Sequence, residues 1–308
     1  MDRRRLLTGL AALPLAGCAT LGHEEKRGPG IAITVDDFNL ADDPAMSGEA
    51  RDDHIRKALS DHGVKAAGFV AGKYIDAEVA PRVLKVWSDE GHILGNHTFS
   101  HKLYSGADPA GYMDDILRCE ALLEPYPGFC KLFRYPFLAE GKTASGRDAL
   151  RALLKAHGYA IGHVTIDTSD WVYASRLTAR LKTDAKADVA PYRQAWLDHL
   201  WDRAGYYDGL AQDVFGHSID HTILLHHHVT TGLFLGDALD MFKAKGWLVV
   251  DASAAFAQKE FKREYKTLPS GQSLVWAAAK ASGRYEDRLR YPGEDEPYEA
   301  PKLDALGL

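Results

Sequence analysis

The sequence predicts an α/β protein built on a parallel β-sheet with helices outside it, closed or nearly closed into a (β/α) barrel. Three observations carry this reading. Short apolar runs rich in Val and Ile recur along the chain, helix-like stretches separate them, and charged residues follow the runs directly. Regular strand-helix alternation implies parallel strands, and about seven units are enough for a barrel. A doubly wound open sheet is the competing architecture.

In order, the candidate strands are Ile31 to Val35, Ala67 to Val70, His92 to Gly95, Leu132 to Tyr135, Gly162 to Ile166, Thr222 to Leu225 and Trp247 to Val250. Their length and β-branched content mark them as strands rather than helical segments. Between them, Arg51 to His62, Glu78 to Glu90, Ala110 to Glu124, Ser145 to His157 and Gly236 to Lys245 carry helical patterns. The connection from Val172 to Asp220 is long and holds Tyr192, Trp196, His199, Leu200, Tyr206 and Tyr207. We expect inserted helices there, walling the site. After about Ala254 the pattern weakens toward Tyr291-Pro292-Gly293-Glu294-Asp295-Glu296-Pro297, which predicts a helical and partly irregular tail over 256–308.

The chain has 308 residues, 46% hydrophobic and 26% charged, which supports one full-sized core over about 31–255. Its net charge of −6, without a long basic run, removes the electrostatic footprint of a nucleic-acid binder. Arg3, Arg4 and Arg5 precede a short apolar stretch, which reads as a bacterial export signal over 1–18. Leu15-Ala16-Gly17-Cys18 resembles a lipobox, so Cys18 is the expected lipidation site, and Arg3-Arg4 also resembles a twin-arginine signal. Residues 19–30, ending in Gly-Pro-Gly, read as a tether. The protein is then expected in the periplasm or cell envelope, held to the membrane by the lipid. Cys119 and Cys130 remain as a pair that either bridges in an oxidising compartment or stays as two thiols.

The chemistry sits behind the strands. Asp36 and Asp37 follow the first, His97 and His101 the third, Arg134 and Phe137 the fourth, Asp167 and Asp170 the fifth, and His226 the sixth. In parallel β/α folds that carboxyl end is where sites are built. His97 and His101, spaced i, i+4, face one way on a helical turn, and a carboxylate from elsewhere completes three ligands with one open position. Adjacent aspartates point apart, so one can bind a metal while the other acts as a base. Asn96 is a candidate to orient His97, and the Asn96-His97-Thr98 sequon reads as chance.

Five segments, in this order, resemble the motifs of the polysaccharide deacetylase family, carbohydrate esterase family 4. They are Thr34 to Asp37, His97 to His101, Arg134-Tyr135-Pro136-Phe137, Asp167-Thr168-Ser169-Asp170-Trp171 and Leu224-Leu225-His226. The resemblance implies a distorted (β/α) barrel of seven or eight units. It also implies a metal-dependent N-deacetylase acting on an amino-sugar polymer such as chitooligosaccharide, peptidoglycan or exopolysaccharide. By the same resemblance Asp37, His97 and His101 bind a divalent metal, most often zinc; Asp36 is the general base, and His226 the general acid. Phe137 supplies a backbone N–H to the oxyanion, Arg134 and Asp170 form a charged pair that orients Asp36, and Trp171 walls the acetyl group or sugar.

Alternation along a strand puts His226 and His228 on one face and His227 on the other, and the resemblance of Leu224-x-His226 to the family's fifth motif implies His226 as the acid. Phe38, Phe137 and Leu138 depart from the family pattern, and Phe38 and Leu138 are expected to narrow the mouth. An O-acetyl esterase acting on acetylated xylan would use the same residues. A non-catalytic glycan-binding lipoprotein is a reading from another class, disfavoured because base, acid and ligands are all present. A zinc peptidase ranks last for want of a His-Glu-x-x-His helix.

Overall fold

A computed structural model of the chain describes residues 28–75, 78–290 and 295–308. The expected export signal, Cys18 and most of the tether lie outside the described residues. In chain order the elements are β1 (Gly30–Asp37), α1 (Gly48–Asp61), β2 (Ala67–Val70), α2 (Ala80–Asp89), β3 (Ile93–Asn96), α3 (Pro109–Leu123), β4 (Phe129–Phe133), α4 (Ala144–Ala156) and β5 (Ala160–Ile161). There follow α5 (Asp170–Thr183), α6 (Ala190–Phe215), β6 (Asp220–His226), α7 (Val229–Ala244), β7 (Leu248–Val249), α8 (Ala252–Phe256), α9 (Leu274–Ser282) and α10 (Glu296–Leu306). Among the described residues no helix is long and apolar enough to cross a membrane.

All strand pairs are parallel, in the order β5-β4-β3-β2-β1-β6. β6 flanks β1 from residue 30 to 36, whereas β7 (at 30–31) and β2 (at 34–37) share its other edge. Beyond β5 the chain swings round to β6, where Ile166 bridges Ile223 and the amides of Thr165 and Ile166 both donate to the Thr222 carbonyl. The sheet is thus a curled half-barrel with helices around it, not an open doubly wound sheet. The expected fifth strand, Gly162 to Ile166, is shorter and earlier because this swing breaks its ladder.

Alternation along β1 sorts its side chains between two layers. Ile31, Ile33 and Val35 join the large core beneath the helices with Ile55, Leu59, Leu235 and Leu239, whereas Ala32 joins Ala67, Phe69 and Leu132 in a smaller inner cluster. Each fully buried aliphatic side chain stabilises the fold by roughly 1.5–3 kcal/mol. Thr34 and Asp36 share Ala32's face, so the strand that anchors the core also carries a carboxylate inward. Phe38 is fully buried, edge-on to Trp87 at 4.7 Å, and Gly68 is required beneath it because a Cβ there would meet the ring at 2.4 Å. Phe38 therefore does not narrow the mouth; the apolar core claims its ring.

The α5–α6 insertion also differs from expectation. Tyr192, Trp196, His199, Leu200 and Tyr207 are buried in the core rather than walling the site. The segment after 256 packs closely against the domain. Leu274, Val275 and Trp276 of α9 are buried against α6, and Glu299 of α10 accepts from the Tyr173 hydroxyl at 3.0 Å. Cys119 is buried with its thiol on the Val70 carbonyl and Cys130 is exposed, so the two are separate free thiols.

Candidate metal centre and active-site cavity

The carboxyl ends of β1, β3 and β4 turn into loops that hold every described non-glycine residue with positive φ: Asp37, Phe38, Thr98, His101, Phe137 and Leu138. Left-handed backbone at such residues costs on the order of 1 kcal/mol each and persists where the surroundings enforce it. Here it folds three loops back over one cavity of about 510 Å³, lined by Asp36, Asp37, His97, His101, Phe137, Trp171 and His226 among others.

Arg134 organises one side. Its guanidinium is buried and donates to the Asp36 Oδ1 and Thr34 Oγ1 at 2.7 Å each and to the Gly162 carbonyl at 2.9 Å, with Phe69 beneath it at 3.9 Å. Its own carbonyl lies 2.8 Å from the His97 Nδ1. A carbonyl only accepts, so Nδ1 carries the proton and the Nε2 lone pair faces the cavity. One residue thus fixes both the carboxylate and an imidazole.

The Nε2 atoms of His97 and His101 lie 3.5 and 3.0 Å from the Asp37 Oδ1. That oxygen is buried and no N–H is aligned with it for a hydrogen bond. Burial alone would raise the Asp37 carboxyl, but His101, His226 and His97 together hold it well below the usual carboxylate range. Burial pushes His97 down to about 4 against the pull of Asp36 and Asp37, leaving a neutral imidazole. Three donor atoms within 4.8 Å of one another, with a buried Asp37 oxygen that lacks a hydrogen bond beside the two imidazoles, fit a divalent cation.

On the other side, Asp170 opens α5 fully buried, its Oδ1 accepting from the His226 Nδ1 and its Oδ2 from the His226 backbone N–H, each at 2.7 Å. Burial disfavours the His226 imidazolium, but the Asp170 carboxylate outweighs it and raises the ring to about 10. This corrects the expected Arg134–Asp170 pair. The guanidinium donates to Asp36, Thr34 and the carbonyls of Gly162 and His163, and both Asp170 oxygens are taken by His226. His97 and His101 lie in an irregular loop rather than on a helical turn, their rings brought 5.0 Å apart by left-handed backbone at Thr98 and His101. Asn96 does not touch the His97 ring: it donates to the Ile116 carbonyl and the Tyr159 hydroxyl and accepts from the Thr98 amide.

Phe137 and Trp171 are the exposed aromatics of the mouth, at 61% and 37%, and Leu138 lines the cavity. Lys73, Tyr74, Gln272 and Asp295 also line it and were not singled out from sequence. Lys73 and Tyr74 follow β2, so their position behind a strand was a usable signal. Gln272 and Asp295 lie beyond the strand pattern and gave none.

A sequence model described as polysaccharide deacetylase matches residues 23–162, so the chain is similar to that family over those residues. It is 26% identical over 211 residues to a peptidoglycan-N-acetylglucosamine deacetylase of Bacillus cereus, covering 66% of this chain and 62% of that protein. It is 29% identical over 119 residues to a chitooligosaccharide deacetylase of Bradyrhizobium, covering 38% of this chain and 51% of that one. It thus spans less than two thirds of either relative's length. Among solved structures, the peptidoglycan deacetylase PdaC from Bacillus subtilis superposes with a TM-score of 0.51 at 22% identity, over 76% of this chain and 92% of the other. A polysaccharide deacetylase from Bacillus cereus gives 0.52 at 20% identity, over 73% and 92%. These structures share the fold.

Proposed function

We propose that the chain is a divalent-metal-dependent deacetylase that removes the N-acetyl group from N-acetylglucosamine units of an exported or cell-envelope glycan, anchored outside the cytoplasm through lipidated Cys18. The two sequence relatives are named for peptidoglycan N-acetylglucosamine and for chitooligosaccharide, and N-acetylglucosamine is the unit common to both. One observation carries the reading. A carboxylate held by a buried arginine and an imidazole held by a buried carboxylate face one cavity beside three convergent ligand atoms.

Asp37, His97 and His101 would hold the ion, zinc by the chemistry of two imidazoles and a carboxylate, and it would supply a Lewis acid for the acetyl carbonyl and for the attacking water. Asp36 takes the water's proton. Its Oδ1 stays on Arg134 and its Oδ2 lies 3.7 Å from the His97 Nε2, so the free oxygen is next to the ligand cluster. The Phe137 backbone N–H donates to the oxyanion as the carbonyl becomes tetrahedral. His226 gives a proton from its Nε2 to the departing nitrogen, since Nδ1 is committed to Asp170. An amide nitrogen leaves poorly as an anion, and a carboxylate that keeps the acid protonated suits an amide more than an ester. Trp171 and Phe137 offer apolar faces to the sugar ring.

The test is acetate release from N-acetylglucosamine oligomers after chelation and again after zinc is restored. Release that vanishes and returns with metal supports the proposal. Cleavage of acetylxylan alone would move it to an O-acetyl esterase, and silence on both would leave a glycan-binding protein.

A further inference from the structure

His226 is followed two residues later by a histidine that the proposed mechanism does not use. His228 stacks on His226 with ring centroids 5.2 Å apart and planes 17° apart. Its Nδ1 is buried and has no hydrogen-bond partner. The ring lines both the main cavity and a neighbouring one of about 420 Å³, and Trp171 likewise borders both. Asp170, His226 and His228 each offer one donor atom, and these atoms lie within 4.8 Å of one another. Two imidazoles and a carboxylate form a donor set for zinc or a similar divalent transition metal, and an imidazole nitrogen left without a partner in a buried place needs one.

We propose that Asp170, His226 and His228 form a second, weaker zinc site, and that filling it disables the proposed acid. The binding half stands on the side chains alone; the inhibitory half rests on His226 acting as the acid in the reading above. Two features make this site the weaker one. An ion that enters between the Asp170 Oδ1 and the His226 Nδ1, which sit 2.7 Å apart, displaces the proton they share, and that proton is released to solvent. His228 also stands at the N-cap of α7, where the helix dipole disfavours a cation. At Asp37, His97 and His101 no aligned hydrogen bond has to break. Zinc therefore fills that cluster first and activates, then fills the second and inhibits.

The full chain, stripped by chelation, is titrated with zinc chloride and the bound zinc counted by equilibrium dialysis, with acetate release followed on the same samples. Two equivalents are expected for the natural chain and one for His228→Ala; His228→Asn, which keeps a polar group of similar reach, serves as a second variant should the alanine chain unfold. Acetate release from the natural chain should rise with the first equivalent and fall about a hundredfold with the second, the share a general acid contributes. In either folded variant it should rise and stay. One equivalent in the natural chain, or two in a folded His228 variant, overturns the site. Two equivalents with undiminished acetate release overturn the inhibitory half. The zinc count reads the site even on a chain that releases no acetate, so its failure and that of the deacetylase reading are distinguishable.

Discussion

Asp170→Asn isolates the carboxylate that sustains the proposed acid. In the native site its two oxygens accept from the Nδ1 and the backbone N–H of His226. An asparagine has one acceptor and one donor in their place, so it can keep only one bond and it loses the charge. Opposite charges about 4 Å apart in an environment of effective dielectric about 20 attract by about 4 kcal/mol. That is about 3 pKa units. The burial that lowers His226 remains, so the ring drops from its raised value of about 10 to near or below neutrality. The sign follows: the acid works protonated, so a lower pKa moves the alkaline loss of activity toward acid by about 3 units. At pH 8 roughly a tenth of the acid then stays protonated, so the kcat/KM for N-acetylglucosamine oligomers should fall about tenfold, with a smaller fall on an activated acetate ester whose leaving group needs no proton. The assay is a full pH profile of kcat/KM on both substrates. An alkaline limb that stays within about half a unit of the natural enzyme's would refute the reasoning.

Three further substitutions probe the frame around the site. Arg134→Met leaves Asp36 buried without its partner, so urea unfolding should show a loss of about 3–5 kcal/mol alongside lost turnover. Phe38→Ala empties the space between Trp87 and His227 and should cost about 3–5 kcal/mol with little change in KM, whereas a changed KM at full stability would restore Phe38 to the mouth. His92 accepts the Ala66 amide at its Nδ1, and burial lowers it to about 4. The unfolded chain therefore binds a proton between about pH 6.5 and 4 that the folded chain refuses, and stability falls as pH falls through that window, by up to about 3 kcal/mol. His92→Gln should flatten that slope in paired urea titrations, and identical slopes would exclude the residue.

Much of the site was legible because parallel α/β folds put chemistry at strand ends. Asp36, Asp37, Arg134 and His226 sit at or just past the ends of strands, and Asp170 opens the helix that follows the fifth. Their partners were less legible. Whether Asp170 meets Arg134 or His226 depends on how β5 and α5 are aimed, and the irregular bridge at Ile166 sets that, not a motif. The i, i+4 spacing of His97 and His101 brought the right pair forward for a helical reason, while left-handed backbone at Thr98 and His101 does the work. The tail gave no periodic signal, yet Gly271, with φ of 101°, presses against the Leu138 carbonyl where a Cβ would come within 1.8 Å. Such close backbone contact is a tertiary fact with no local pattern to betray it.

The most direct test of the central claim compares Asp36→Asn with His97→Ala for bound metal and for acetate release from N-acetylglucosamine oligomers. The first should retain metal and lose turnover, since the amide cannot take a proton; the second should lose both, since an imidazole ligand is gone. An Asp36→Asn chain that releases acetate at the natural rate would contradict the account.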